Sequence, residues 1–113
     1  MAPPIDGSRD TVVMFHAKWC PHCTDALPAF VDATAGSRSV LVEESQMASL
    51  RGDVARAVAG HVRGFPTIMY VHRARRDGVV DVSVFERERR DARTIKAFVE
   101  EHRAGRCRCN KRS

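Results

Sequence analysis

The chain lacks any apolar run long enough to cross a membrane, and its first ten residues contain no hydrophobic segment of the kind found in signal peptides. We therefore expect a cytoplasmic protein with no membrane partner. Repeats and low-complexity segments are also absent, as is the mixture of basic and aromatic residues typical of nucleic-acid-binding motifs. The basic residues are predicted to form a solvated surface, and no nucleic-acid partner is expected.

The length and composition are those of one globular domain, with 113 residues, 43% of them hydrophobic and 29% charged. The net charge of +5 comes mainly from 16 arginines, against 3 lysines. These basic residues are concentrated at 72–76, at 87–93 and at the C-terminus. We expect an N-terminal extension over residues 1–10, one domain over 11–104 and a basic tail over 105–113.

Hydrophobic periodicity predicts seven elements in the order β-α-β-α-β-β-α. The predicted strands cover 11–17, 39–45, 67–71 and 78–85, and the predicted helices cover 21–35, 47–59 and 91–104. The second strand is expected to be parallel to its neighbour, and the last two strands are expected to form an antiparallel hairpin. Each helix is predicted to end at a glycine, and Pro28 lies inside the first helix, where it removes a backbone donor.

Cys20 and Cys23 flank Pro21 and His22 at the predicted junction between the first strand and the first helix. A pair of thiols at this spacing can be a redox dithiol or half of a zinc site. The unpaired amides and the dipole of a helix N-terminus favour the thiolate of Cys20, while Cys23 lies within disulfide reach and is more enclosed. If the pair is a redox dithiol, we predict that Cys20 is an exposed nucleophile and Cys23 the resolving thiol.

His22 is a second feature, after the helix N-terminus, that can favour the thiolate form of Cys20. As a partial cation or a ring donor, it can further stabilise the Cys20 thiolate. A stabilised thiolate stabilises the reduced form of the pair, which makes the disulfide a stronger oxidant. The alternative is that His22 is an exposed residue of no consequence.

The segment "FHAKWCPHC", residues 15–23, resembles the active-site segment of the thioredoxin superfamily. The segment "VRGFPT", residues 62–67, is similar to the second active-site segment of that family, in which the proline is cis. Pro28 also falls where the family has its helix-kinking proline. The resemblance covers about residues 11–103 and implies an α/β, compact thioredoxin-like fold with a four-stranded mixed sheet flanked by helices.

The resemblance implies a thiol:disulfide oxidoreductase that acts on cysteine-containing protein substrates, together with a redox partner that the sequence does not identify. In such a protein Cys20 attacks, Cys23 resolves and Trp19 shields the site. The substrate groove is shaped by Phe65, Pro66 and Thr67. No cofactor is expected beyond the redox-active Cys20–Cys23 disulfide, and no metal.

Two features point to the direction of electron flow. The Pro21-His22 pair is similar to that of bacterial periplasmic disulfide oxidases, which implies a bias towards oxidation or isomerisation. Met14 stands where thioredoxins and isomerases bury a carboxylate that takes the proton of the resolving thiol, so efficient reduction is not expected. A thioredoxin- or glutaredoxin-like reductase remains the alternative.

The predicted compartment conflicts with this bias, because the cytosolic glutathione pool would hold an oxidising dithiol reduced. Oxidation there requires a dedicated oxidant, as in the cytosolic disulfide pathways of some large DNA viruses. A viral or host-cytosolic location is therefore expected for an oxidising protein.

The basic tail contains a second pair of thiols, Cys107 and Cys109. They are candidate shuttle thiols that exchange with Cys20 and Cys23 or receive oxidising equivalents from a partner, because a C-x-C disulfide is strained and readily exchanged. Alternatively they have no role, or all four cysteines hold zinc, although C-x-C is an unusual ligand spacing. A different class of function is a non-catalytic binding module for a partner, nucleic acid or zinc.

Overall fold

The computed structural model describes residues 5–87 and 89–112, with side chains as far as Arg103. Within these residues the chain forms four strands: β1 (Thr11–His16), β2 (Ser39–Glu43), β3 (Thr67–Val71) and β4 (Val82–Val84). The α-helices are α1 (Pro21–Ala33), α2 (Asp53–Ala59) and α3 (Ala92–Arg112), and a 3₁₀ segment (Glu44–Ser49) lies between β2 and α2. The α-helices and strands follow each other in the predicted order.

The strands form one mixed sheet in the order β2-β1-β3-β4. β1 is parallel to β2 and antiparallel to β3, and β3 is antiparallel to β4. The four-stranded mixed sheet predicted from the sequence is confirmed, as is the antiparallel pairing of its last two strands. Since β1 is central, its C-terminal end opens on the loop that carries the cysteine motif.

Both faces of the sheet are covered, which explains why β1 is apolar at nearly every position. Val12 and Met14 point to the face that packs on α1 and α3, in a cluster with Phe30 and Ile95. The alternate side chains of β1 point to the opposite face, where they pack with α2. Helices α1 and α3 therefore share one face, and their packing brings the start of α3 to the cysteine motif.

The prediction of one continuous helix over residues 47–59 is wrong. This stretch is divided into the 3₁₀ segment and α2, with Gly52 between them at a φ of +90°. A side chain rarely adopts that φ, so this glycine permits a break that continuous helical periodicity does not reveal. Gly60 ends α2 as predicted.

Two other boundaries differ from the prediction by more than two residues. The strand expected over 78–85 is reduced to β4, because Arg75 and Val79 are joined by a backbone hydrogen bond of 2.9 Å in a turn that contains Gly78. Gly105 does not end the last helix, since α3 continues to Arg112. A glycine lowers helix stability by about 1 kcal/mol but does not by itself end a helix.

The residues before β1 pack against the domain. Ile5 is buried in the same cluster as Val13 and Phe15, and the carbonyl of Gly7 accepts a hydrogen bond of 2.9 Å from the backbone of Ala74. Across the described part of the chain, no helix combines the length and apolar character needed to span a membrane.

Candidate active site

Cys20 is the N-cap residue of α1. Its backbone is extended, with φ −95° and ψ 110°, and its Sγ accepts a hydrogen bond of 3.2 Å from the backbone N–H of Cys23. Pro21 begins the helix, where its missing N–H leaves no donor unsatisfied. The Cys-Pro sequence therefore opens the helix and places the sulfur of Cys20 against its exposed amides.

Both thiols are buried and free, with only 3% of Cys20 and 1% of Cys23 accessible. The expectation of an exposed Cys20 is therefore wrong. Ala17 and Phe65 pack against the two cysteines and cover them, which local sequence around the motif does not predict. The expectation that Cys23 is enclosed is confirmed.

The pKa of the Cys23 thiol is raised to about 11. Burial is the largest cause, and the hydrogen bond with Cys20 acts in the same direction. Arg90 opposes the shift through its positive charge. No carboxylate is among the groups with the largest effect, and Met14 is fully buried in the core.

The second segment lies directly beside the dithiol. The Phe65–Pro66 peptide bond is cis, as the resemblance implied. The carbonyl oxygen of Phe65 lies 3.6 Å from Cys20 Sγ and accepts the thiol hydrogen. Thr67 begins β3, and its hydroxyl donates a hydrogen bond of 2.5 Å to the Gly64 carbonyl. The fold thus brings together two segments that are 45 residues apart in the sequence.

Trp19 extends the site outwards. Its ring stands edge-on to Phe65 at a centroid distance of 5.9 Å and is 66% exposed. Its indole N–H donates a hydrogen bond of 2.8 Å to Glu44, a contact that the sequence analysis missed. The parallel pairing of β1 with β2 could have indicated it, because the residues after two parallel strands meet at one edge of the sheet.

His22 is exposed on the first turn of α1 and lines a groove with Asp25 and the residues that open α3. Within the described residues, no hydrogen bond joins His22 to Cys20, so its tuning role stays a prediction. Arg90 lines the same groove and was assigned to the solvated basic surface by the sequence analysis. Arg90 lies just before α3, the helix that packs on α1, and this position could have indicated that Arg90 belongs to the site.

The predicted shuttle thiols Cys107 and Cys109 lie outside the residues whose side chains the structure describes, so their role also stays a prediction. Among the side chains that are described, no three histidine, cysteine, aspartate or glutamate residues are placed to hold a metal ion.

Comparison with known proteins agrees with this geometry. The thioredoxin family model matches residues 5–101. The chain is 31% identical over 74 residues to a probable protein disulfide-isomerase ER-60 of Schistosoma mansoni, covering 64% of this chain and 15% of that protein. It is 36% identical over 61 residues to protein disulfide-isomerase A5 of Mus musculus, covering 52% of this chain and 12% of that protein. The chain thus spans less than a fifth of the length of these two relatives.

A solved structure shares the fold as well. The Trx4 domain of ERdj5 superposes with a TM-score of 0.64 at 21% identity, covering 84% of this chain and 80% of that one. The family model matches most of the chain. The mixed sheet, the dithiol at the start of α1 and the facing proline segment agree with that match. The chain belongs to the thioredoxin family.

Proposed function

We propose that this protein is a thiol:disulfide oxidoreductase that exchanges disulfides with cysteines of protein substrates, with a bias towards oxidation or isomerisation. The observation that carries the proposal is the position of Cys20, at the N-terminus of α1 and 3.6 Å from the carbonyl of Phe65. The relatives named as disulfide-isomerases support the same class of reaction.

Oxidation of a substrate proceeds in two exchanges. A substrate thiolate attacks Cys20 Sγ of the oxidised pair, the Cys20–Cys23 bond breaks, and Cys23 leaves and takes up a proton. A second substrate thiolate then attacks the substrate sulfur of the mixed disulfide and releases Cys20. The substrate gains one disulfide and the protein is left with two thiols.

The proposed bias towards oxidation or isomerisation follows from a reaction of Cys23 that competes with the second substrate thiolate. In the mixed disulfide, Cys23 can release the substrate in reduced form, but only as a thiolate. Burial is the main reason that the pKa of Cys23 is raised, and we expect Cys23 to stay buried when Cys20 is in a mixed disulfide. Attack by Cys23 is therefore slow, which gives a second substrate thiol time to react and favours oxidation or isomerisation over reduction.

The substrate is proposed to lie along the segment of Phe65, Pro66 and Thr67. This segment contacts Cys20, and the exposed ring of Trp19 adds an apolar surface beside it. A cysteine-containing peptide in this position would bring its sulfur to Cys20. The redox partner and the cytoplasmic location stay predictions.

The test is the reduction potential of the Cys20–Cys23 pair, measured in glutathione redox buffers with trapping of free thiols. We expect a value nearer about −120 mV, typical of strong oxidants, than about −270 mV, typical of thioredoxin. A potential at the thioredoxin end would favour the reductase. Failure to form the disulfide would contradict redox exchange altogether and favour a binding module.

Four variants test which residues are responsible for the measured activity and potential. Cys20→Ser is expected to abolish exchange with a disulfide-containing peptide, whereas Cys23→Ser is expected to accumulate the mixed disulfide. His22→Ala should move the potential towards that of thioredoxin if this side chain tunes the pair. The Cys107→Ser/Cys109→Ser variant, measured in parallel, is expected to lose turnover with an external oxidant only if these thiols act as a shuttle.

A further inference from the structure

A cavity of about 350 Å³ lies at the end of the sheet opposite the dithiol. Its walls are formed by the residues that precede β1 and β2, the residues that follow β3, and α3. β1 and β2 are parallel and β3 is antiparallel to them, so these positions meet at one edge. Each of the four segments contributes one arginine: Arg9, Arg38, Arg73 and Arg103.

The charge of this arginine cavity is not balanced by its own residues. Asp10 is the one acidic side chain among the described residues that line it. Its two oxygens accept hydrogen bonds of 2.7 Å from the Tyr70 hydroxyl and from the backbone N–H of Arg73. Arg38 also acts on the carboxylate of Asp6. Without Arg38, three guanidinium groups face one carboxylate in the cavity, which leaves an excess of two positive charges. Mutual repulsion makes such a cluster costly unless an anion compensates it.

Three other arginines, Arg75, Arg87 and Arg89, lie within ion-pair distance of carboxylates, as Arg87 does of Glu101 at 2.8 Å. Over the ranges 5–87 and 89–103, where side chains are described, no carboxylate lies within ion-pair distance of the guanidinium of Arg9 or Arg73. Both of these side chains are exposed at the cavity. Their charges are therefore available to a ligand.

The Arg103 guanidinium is held in place by neutral partners. It donates hydrogen bonds to the hydroxyls of Ser37 and Tyr70. Hydroxyl acceptors orient a guanidinium without neutralising its charge. The cavity thus combines the oriented guanidinium of Arg103 with those of Arg9 and Arg73, which have no acidic partner among the described side chains.

We infer that the arginine cavity binds a small, multiply charged phosphate anion of the size of pyrophosphate. The planar fork of arginine matches the oxygens of a phosphate group and can donate two hydrogen bonds to it. A diphosphate carries enough negative charge to balance this excess of positive charge. The volume of about 350 Å³ is also that of a small-molecule site. Because the cavity lies away from Cys20, the inference does not depend on the proposed redox function.

The test is calorimetric titration of the full chain with inorganic pyrophosphate at constant ionic strength. We expect saturable binding of one pyrophosphate per chain. The Arg9→Gln/Arg73→Gln variant should bind at least about tenfold more weakly, because it removes two charge-assisted donors. The matched control is Arg51→Gln/Arg56→Gln, which removes the same charge from exposed positions outside the cavity and should retain the affinity of the unmodified chain.

Absence of saturable binding, or equal weakening in both double variants, would overturn the inference. A short single-stranded oligonucleotide forms a second arm, and binding of the oligonucleotide without binding of pyrophosphate would also overturn it. Adenosine diphosphate tests whether a nucleotide can supply the phosphates, with adenosine expected not to bind. Disulfide exchange with an uncharged peptide should be unchanged in Arg9→Gln/Arg73→Gln, so failure of this site is distinguishable from failure of the proposed function.

Discussion

Cys20 and Cys23 have the same side chain, but the fold gives them different chemistry. The sulfur of Cys20 accepts a hydrogen bond from the start of α1 and faces the Phe65 carbonyl. Cys23 lies one turn further inside, and burial raises its pKa to about 11. At neutral pH Cys23 is therefore a protonated thiol, and its deprotonation depends on charges placed by other parts of the fold.

A backbone hydrogen bond with Ala17 lowers the pKa of Cys23. Arg90 is the side chain that we predict to assist this deprotonation further. Its positive charge lowers the pKa of Cys23, so Arg90→Gln should raise that pKa and slow resolution of the mixed disulfide. We expect the rate to fall by less than about tenfold, because an exposed guanidinium acts through a high effective dielectric. Thiolate absorbance against pH and stopped-flow exchange measure the two effects.

The control for Arg90 is Arg89→Gln. Arg89 is exposed and lies 3.8 Å from Asp91, and it does not appear among the charges that act most strongly on Cys23. The two substitutions remove the same charge from adjacent positions. Equal slowing in both variants would show that overall charge, and not the position of Arg90, determines the rate.

At the scale of elements, the junctions between helices and strands decide where the functional groups lie. α1 begins at the dithiol, while the start of α3 brings Arg90 to the same region. The 3₁₀ segment after β2 supplies Glu44 to the Trp19 indole. The breaks between elements are thus as important to the site as the elements themselves.

The break at Gly52 gives a prediction for stability. Gly52 has φ +90° and ψ 154°, a conformation that is essentially restricted to glycine. Gly52→Ala should lower the free energy of unfolding by about 1–3 kcal/mol, although a Cβ there would meet no neighbouring atom within 4 Å. Urea unfolding measures the change.

Gly64→Ala is the matched control for this substitution. A Cβ at Gly64 also has open space, and the backbone is not in the left-handed region. Its unfolding free energy should be unchanged or raised by up to about 1 kcal/mol. Equal destabilisation of both variants would show that the added methyl group, and not the φ of Gly52, is responsible.

The packing of α3 on β3 gives a prediction for pH dependence. His102 lies against Phe98, with ring centroids 4.6 Å apart, and burial lowers its pKa below the usual 6.5. Glu101 opposes this shift and Arg87 reinforces it. As the pH falls from 7 to 5, the unfolded chain takes up a proton at this position before the folded chain does. The free energy of unfolding should therefore decrease over this range.

His102→Gln removes the titrating group and should flatten this part of the pH profile. The exposed His61 provides the control variant, His61→Gln, which should retain the slope of the unmodified chain. Urea unfolding at several pH values between 7 and 5 gives both slopes. An unchanged slope in His102→Gln would contradict the assignment to this histidine.

At the scale of the whole molecule, the two ends of the sheet carry different chemistry. The dithiol and the proline segment lie at the C-terminal end of β1, and the arginine cavity lies at its N-terminal end. A substrate at one end therefore leaves the other end accessible. The net charge of +5 acts on ligands at both ends, because long-range electrostatic attraction depends on the whole charge distribution.

This charge should make exchange faster with acidic substrates. A disulfide-containing peptide with flanking glutamates is expected to react faster than the same peptide with lysines. The difference should become small as ionic strength rises from about 10 mM to about 300 mM, because salt screens the attraction. Stopped-flow rates at both ionic strengths measure it, and a preference that does not depend on salt would indicate local contacts instead.

The order of strands and α-helices and the dithiol could be predicted from local patterns in the sequence, and the fold from the family resemblance. The apolar run of β1 and the cysteine pair at the start of α1 are local signals, because periodicity and spacing are properties of neighbouring residues. The Phe65–Thr67 segment was identified by its resemblance to the thioredoxin superfamily. The break at Gly52 was missed because a continuous helical pattern conceals a residue with positive φ. The extent of α3 was missed because glycine is a weak stop signal.

The surroundings of the dithiol and the cluster of arginines at the far end of the sheet could not be predicted without the packed fold. Burial of Cys20 beneath Phe65, the effect of Arg90 on Cys23 and the convergence of four arginines all join residues distant in sequence. These distances depend on strand register and on the packing of α3 across the sheet. Composition showed an excess of arginine, but the fold alone placed part of that charge in one cavity.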